Sequence, residues 1–115
     1  MADRLRNIPV TVNDTGDISD EVNLGGEILV GIHMPATWVS AAISFQAATV
    51  SGGTFQDVYN ELNVQVSIPA AVGARFIALP PNFLMGAQFI KLRSGLTGAV
   101  VDQTANRILV LVTRQ

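Results

Sequence analysis

Residues Trp38–Gln46 read WVSAAISFQ, and the alternation within them decides the fold class. Val39, Ala41, Ile43 and Phe45 fall on one face of an extended segment. Trp38, Ser40, Ala42, Ser44 and Gln46 fall on the other, giving the period of two that marks a half-buried β-strand. The same alternation puts the largest apolar side chain of the protein on the polar face. Trp38 therefore carries two open readings: an anchor for a partner, since tryptophan is enriched at interface hot spots, or a plug folded over the end of the chain's own core.

Working outward, the segments on either side repeat the pattern. EILVGIH (27–33) places Ile28, Val30 and Ile32 on one face, and VQVSIP (64–69) sets Val64, Val66 and Ile68 against Gln65 and Ser67. AQFIKLRSG (87–95) sets Ile90 and Leu92 against Phe89, Lys91 and Arg93. RILVLVTR (107–114) is apolar on both faces, as a central strand is. SGGT (51–54) reads as a turn leading into FQDVYN (55–60), and RFIAL (75–79) stops at Pro80-Pro81. AAVGA (70–74) and PPNFLMGA (80–87) have room for one helical turn at most. Seven or eight short strands punctuated by Gly, Pro and Asn predict an all-β chain, a single antiparallel sandwich or barrel over residues 27–115.

Residues 1–26 read differently, as an N-terminal arm followed by an acidic, turn-prone loop. RNIPVTVND (6–14) alternates Ile8, Val10 and Val12 against Pro9, Thr11 and Asn13. Pro9 has no N–H for a ladder, so this strand belongs at a sheet edge or against another chain. Two placements stay open: the arm adds a strand to a neighbour's sheet, or it completes its own sandwich.

Composition narrows the function. The 115 residues are 49% hydrophobic and 14% charged, with one lysine, Lys91, and a net charge of −2. A lone domain ordinarily covers itself with more charge than that, about a quarter of its residues. Part of the surface is therefore expected to be covered by other protein, although a compact monomer with a Ser-, Thr- and Asn-rich surface is the plainer alternative. No cluster of Lys and Arg supplies the basic footprint that nucleic acid requires. No apolar run approaches the 18 residues of a membrane span. MADRLRNIPV lacks the apolar core of a signal peptide, so synthesis in a cytoplasm is expected. The sequon Asn13-Asp14-Thr15 reads as chance in that setting. The absence of cysteine excludes disulfides, thiol nucleophiles and thiolate-bound zinc.

The residues that could carry chemistry are few. His33 is the single histidine, so any triad would have to be built on it, and it stands at a strand end before Met34-Pro35. Ser51, Ser67 and Ser94 lie in no Gly-x-Ser-x-Gly context. Asp14, Asp17, Asp20 and Glu21 could offer oxygen ligands to calcium, without the spacing of an EF-hand. Asp57 and Glu61 are a pair of carboxylates with nothing to fix their separation. No phosphate-cradling loop occurs. The expectation is a non-enzymatic protein with no cofactor and no small-molecule substrate.

The ordered pieces VGIHMPATWVSAAISFQAA (30–48), GGTFQDVYNE (52–61), ALPPNFLMGAQFIKLRSG (78–95) and QTANRILVLVTR (103–114) resemble a small jelly-roll-like β-sandwich module of tailed-bacteriophage virion proteins. The likeness runs from about Gly31 to Arg114. It rests on Pro35 with Trp38, Phe45-Gln46, Thr54 to Tyr59, Leu92 to Gly95 and Asn106-Arg107. It implies a virion component of the head decoration or cement type, placed on the head exterior and bound to the major capsid protein or other virion proteins. It also implies a homo-oligomer, with a trimer as one form, that needs no cofactor or metal. A neck, tail or fibre-base component is a second version of the same role. The strand plan is also similar to galactose-binding-like sandwiches, which leaves a carbohydrate-binding module for host attachment as the rival of a different class.

On that reading the residues expected to meet a partner are Ile8, Val10 and Val12 of the arm, then Trp38, then Phe89, Lys91 and Arg93 along the outward face of one strand. Arg107 is expected to fix a loop through Asp57 or Asp102.

Overall fold

The computed structural model describes residues 5–14, 17–84 and 86–115. Met1 to Arg4 of the expected arm and Thr15 of the sequon lie outside them. Ten strands run β1 (Leu5–Val12), β2 (Val22–Asn23), β3 (Ile28–His33), β4 (Ala41–Ala48), β5 (Gln56–Asp57), β6 (Ser67–Ala71), β7 (Phe76–Ala78), β8 (Phe89–Leu96), β9 (Ala99–Val100) and β10 (Arg107–Arg114). No helix occurs among the described residues. One sheet has the order β1-β10-β3-β7; the other has β2-β8-β4-β5, with β6 also on β4 and β9 on β8. Every pairing is antiparallel. The chain crosses between the sheets at six of its nine connections, which gives a jelly-roll-like sandwich.

The core is the sum of the inward faces. Ile43 and Phe45 of β4, Ile90 and Leu92 of β8, Leu109 and Leu111 of β10 and Leu29 and Ile32 of β3 are fully buried. The alternation read for Ala41–Phe45 and for Ile90 and Leu92 holds, and β10, read as apolar on both faces, buries Leu109 and Leu111. The alternation read for β3 does not hold: Leu29, not Ile28 or Val30, joins Ile32 in the core. Partners along β10 shift between Val112, opposite Gly31, and Thr113, opposite Leu29, which leaves Val30 as the extra residue of a bulge.

The segment expected as an arm is built into the sandwich. β1 pairs with β10 over its whole length, from Leu5 opposite Arg114 to Val12 opposite Arg107. β1 is an edge strand, where Pro9 costs the sheet least. The loop after it delivers Val22 and Leu24 to the same core.

Trp38 is buried because it is not on a strand. Residues 34–40 form a turn-rich loop, opened by the Trp38 N–H to Pro35 carbonyl bond (3.3 Å), and β4 begins only at Ala41. The two-residue period does not reach back to position 38. The indole folds into the core with 5% of its surface exposed, while Val39 on the nominal core face is 38% exposed.

Candidate interaction surfaces

The outward faces of the two sheets differ in kind, and the difference follows from which side chains the registers align. On the sheet of β4 and β8, Ser44 lies opposite Arg93 and Gln46 opposite Lys91. β5 brings Asp57 next to Gln46. Asp57 Oδ1 accepts from Arg93 Nη2 at 2.5 Å and from Gln46 Nε2 at 3.3 Å, and Oδ2 accepts the Thr97 hydroxyl at 2.5 Å. Arg93 Nη1 also donates to Thr97 Oγ1 (2.8 Å), which accepts from Gln65 Nε2 (3.1 Å). The Thr97 hydroxyl, then the Arg93 guanidinium, hold the Asp57 carboxyl below its usual range, with partial burial acting against them. Lys91 sets its ammonium 4.6 Å from the centre of the Phe55 ring, within cation–π range. The Arg93, Asp57, Thr97, Gln46 and Gln65 side chains of this face are thus bonded to one another.

The sheet β1-β10-β3-β7 presents the opposite. One outward row reads Phe76, His33, Val110 and Pro9 across the four strands, the next Ala78, Gly31, Val112 and Asn7, and Ile108 lies opposite Thr11. Phe76 is 48% exposed and Ile108 59%. Gly31 has no side chain, and a Cβ there would run into the Phe76 ring, so the ring lies across it. His33 stacks on Phe76 with ring centres 4.6 Å apart and tilted by 47°. These rows contain no Asp, Glu, Lys or Arg. An antiparallel sheet facing water alternates towards polar residues on that side; this one does not.

The residues expected to meet a partner are mostly turned inward. Val10 and Val12 are core residues, and Ile8 packs against them. Trp38 is the plug described above. Arg93 is 8% exposed and committed to Asp57, Lys91 is half-buried over Phe55, and Phe89, half-buried, pairs with Asn23 and Ala48. Arg107 does not reach Asp57 or Asp102. Its Nη1 donates to Thr37 Oγ1 (3.1 Å) and its Nη2 to the Gln103 carbonyl (2.8 Å), which ties two loops together at one end of the sandwich.

Gln103 carries no sequence signal, yet it organises that end. It is fully buried, its side-chain amide pairs with the backbone of Val39, and Nε2 also donates to Ser94 Oγ at 2.9 Å. A single amide in a loop has no periodicity by which to be found.

Of the four carboxylates read as possible calcium ligands, two take separate tasks. Asp17 Oδ1 accepts from the Gln103 N–H, and Glu21 accepts from the Ser51 hydroxyl and the Gly52 N–H. No group of three His, Asp or Glu side chains is gathered for a cation among the described residues. His33 has no ion pair among them.

A third surface lies at the hairpin between β5 and β6. Tyr59 and Gln65 form an isolated bridge, and Asn60 Oδ1 accepts the N–H groups of Leu62 and Val64 at 2.9 and 3.0 Å. Tyr59, Leu62 and Val64 are 49%, 75% and 57% exposed. Beside the hairpin runs a groove of about 360 Å³ with Ala47, Val58, Val66, Phe83, Leu84 and Ala87 in its lining.

Over its full length the chain is similar to the crystal structure of SPBc2 prophage-derived protein YomS, with a TM-score of 0.55 and 11% identity over 100% of this chain and 98% of that one. At that identity the likeness is one of fold. No protein-family model matches the sequence, and no curated protein sequence matches it.

Proposed function

We propose that this chain is a structural protein of a tailed-phage particle, a head decoration protein that lays the outward face of the sheet β1-β10-β3-β7 on the capsid shell. The observation that carries the reading is the largely apolar character of that face, whose charge among the rows paired across β10 is Arg114 at one end, opposite Leu5 and Ile28, beside a second sheet whose Arg93 and Asp57 are paired with each other. The charge-poor composition and a fold like that of a prophage-derived protein support it.

Magnitudes favour a lattice over a single partner. Four strands about 4.8 Å apart and five residues of about 3.3 Å rise cover roughly 300 Å², against about 800 Å² per partner in a stable pairwise interface. At about 25 cal/mol per Å² such a face supplies about 7 kcal/mol. The loss of rigid-body freedom, about 4–15 kcal/mol, consumes most of it. One copy on one shell subunit would be held weakly. Copies that also touch each other, or several shell subunits, gain through effective concentration.

The test adds purified chain to expanded shells that lack it and measures occupancy against concentration. Saturation at a fixed number of copies per shell supports decoration, and a density map of the particle separates head from neck, tail or fibre base. Absence of the chain from purified virions, or glycan-array binding without any shell binding, would replace this reading with the carbohydrate-attachment one.

A further inference from the structure

We infer that His33 makes shell docking sensitive to pH: the face binds while the imidazole is neutral and releases when it takes a proton. The inference rests on the docking reading above. It adds the one side chain of its row that changes charge near neutral pH.

His33 stands on the exposed side of β3, with Phe76 on one flank and Val110, then Pro9, on the other. None of these neighbours carries a charge. β1, β3, β7 and β10 contain no Asp or Glu. The charged groups on or beside them are Arg6, Arg75, Arg107 and Arg114, with Glu27 just before β3 and Asp14 beyond β1. Glu27 is bonded to Arg6 and Thr113 at the far end of β3. Asp14 is tied by its N–H to Asn106, before β10 begins, whereas His33 lies level with Val110. A protonated His33 therefore meets no carboxylate of its own chain at its level of the sheet. No ion pair or side-chain hydrogen bond engages it among the described residues.

The stack with Phe76 keeps the imidazole on the face. The Phe76 ring lies across Gly31, where a Cβ would run into it, and His33 packs on that ring with centres 4.6 Å apart. An aromatic face accepts an imidazolium as well as an imidazole, so protonation leaves the charge where a shell would cover it. Burial costs a neutral ring little and a cation without a counter-charge much more. Docking thus competes with protonation. An imidazole ordinarily takes its proton near pH 6.5, and each unit below that cuts its neutral fraction about 10-fold. Binding is complete above that range and weakens as pH falls through it.

The test titrates empty expanded shells with the full chain at about pH 7.5 and about pH 5.5, on either side of the ordinary imidazole range. It repeats the pair with His33→Gln, neutral at both values, and with His33→Lys, charged at both. The position is exposed, so both variants are expected to melt as wild type does. Half-occupancy by wild type is expected to need about 10-fold more protein at the lower pH. His33→Gln is expected to dock equally at both values, and His33→Lys weakly at both. Equal weakening of wild type and His33→Gln on acidification overturns the switch and assigns the effect to the shell. Wild-type docking that is the same at both values overturns it too, and in both cases docking itself stands. Tighter wild-type docking at the lower pH, lost in His33→Gln, would set a shell carboxylate against His33 and overturn the sign. A wild type that docks at neither value overturns the docking reading, and this inference with it.

Discussion

The side-chain amide of Gln103 grips the backbone of Val39 from both sides: its Oε1 accepts the Val39 N–H at 2.8 Å and its Nε2 donates to the Val39 carbonyl at 2.8 Å. One side chain thus does for the loop 34–40 what a neighbouring strand would do, and it holds Trp38 over the core. Replacement by alanine leaves these two partly buried backbone groups without a partner and takes from Ser94 Oγ the donor it accepts from, while its bond to the Val101 carbonyl stays. The expected cost is about 2–3 kcal/mol, a fall in melting temperature of about 10 °C. Hydrogen exchange at the Val39 amide should quicken more than exchange in β8 and β10. Equal acceleration everywhere would mean that Gln103 acts on global packing alone.

Asp57 sets an acid limit. Its carboxyl is held below the usual range by Thr97 first and Arg93 second. A depressed carboxylate contributes stability that is present above its unfolded pKa, near 3.9, and lost as pH falls through its folded value. Asp57→Asn should therefore be less stable than wild type at pH 7 by about 2 kcal/mol, and the gap should close below about pH 4. Urea unfolding midpoints between about pH 2.5 and 7 measure this. Glu27, lowered first by the Thr113 hydroxyl, and Glu21, lowered first by the Gly52 N–H, retain some acid sensitivity in the variant. A gap of constant size would exclude the ionised carboxylate as its source.

What was legible in the sequence is what periodicity encodes. Ile43, Phe45, Ile90 and Leu92 alternate, and they are core; 107–114 is apolar on both faces, and it is the strand between β1 and β3. Pro9 marked an edge for want of an N–H. The misreadings come from places where periodicity is interrupted or irrelevant. The extra residue Val30 in β3 shifts Leu29 inward, and nothing local announces it. Trp38 was assigned to a face of a strand that begins three residues later. Arg93 was expected to meet a partner because its own ion-pair partner, Asp57, is 36 positions away and arrives through the pairing of β5 with β4. The outward face of the β10 sheet, the basis of the docking proposal, is visible in sequence only as the second apolar face of one strand. Its other members, Phe76 and Pro9, join it through register.

Trp38 is the sole tryptophan, so its fluorescence reports one environment. At 5% exposure its emission should be blue-shifted in the native state and move to the red on unfolding. Adding shells should leave it unchanged, since a plug meets no partner; a shift on binding would restore the anchor reading. Trp38→Ala should cost about 3–5 kcal/mol. Trp38→Phe should be far milder, because the buried indole Nε1–H has no acceptor among the described residues and its removal orphans nothing.

Ile108 and Val12 separate docking from folding within a single pair of strands. Val12 points into the core with none of its surface exposed, opposite Arg107; Ile108, one residue on along β10 and opposite Thr11, points outward with 59% exposed. Val12→Ala removes two buried methyl groups, at a cost of about 2 kcal/mol to stability, and the fraction that remains folded should occupy shells as wild type does. Ile108→Lys sits on the outward face and should change stability by no more than about 0.5 kcal/mol. On a shell it carries an ammonium into an apolar contact, where desolvating the charge opposes docking. Occupancy of empty shells should then need at least ~10-fold more protein, equivalent to about 1.4 kcal/mol per site. The two variants thus divide into a stability defect and a binding defect, read from unfolding curves and shell titrations on the same preparations. If Ile108→Lys bound shells at wild-type concentrations, the outward face of this sheet would not be the docking face.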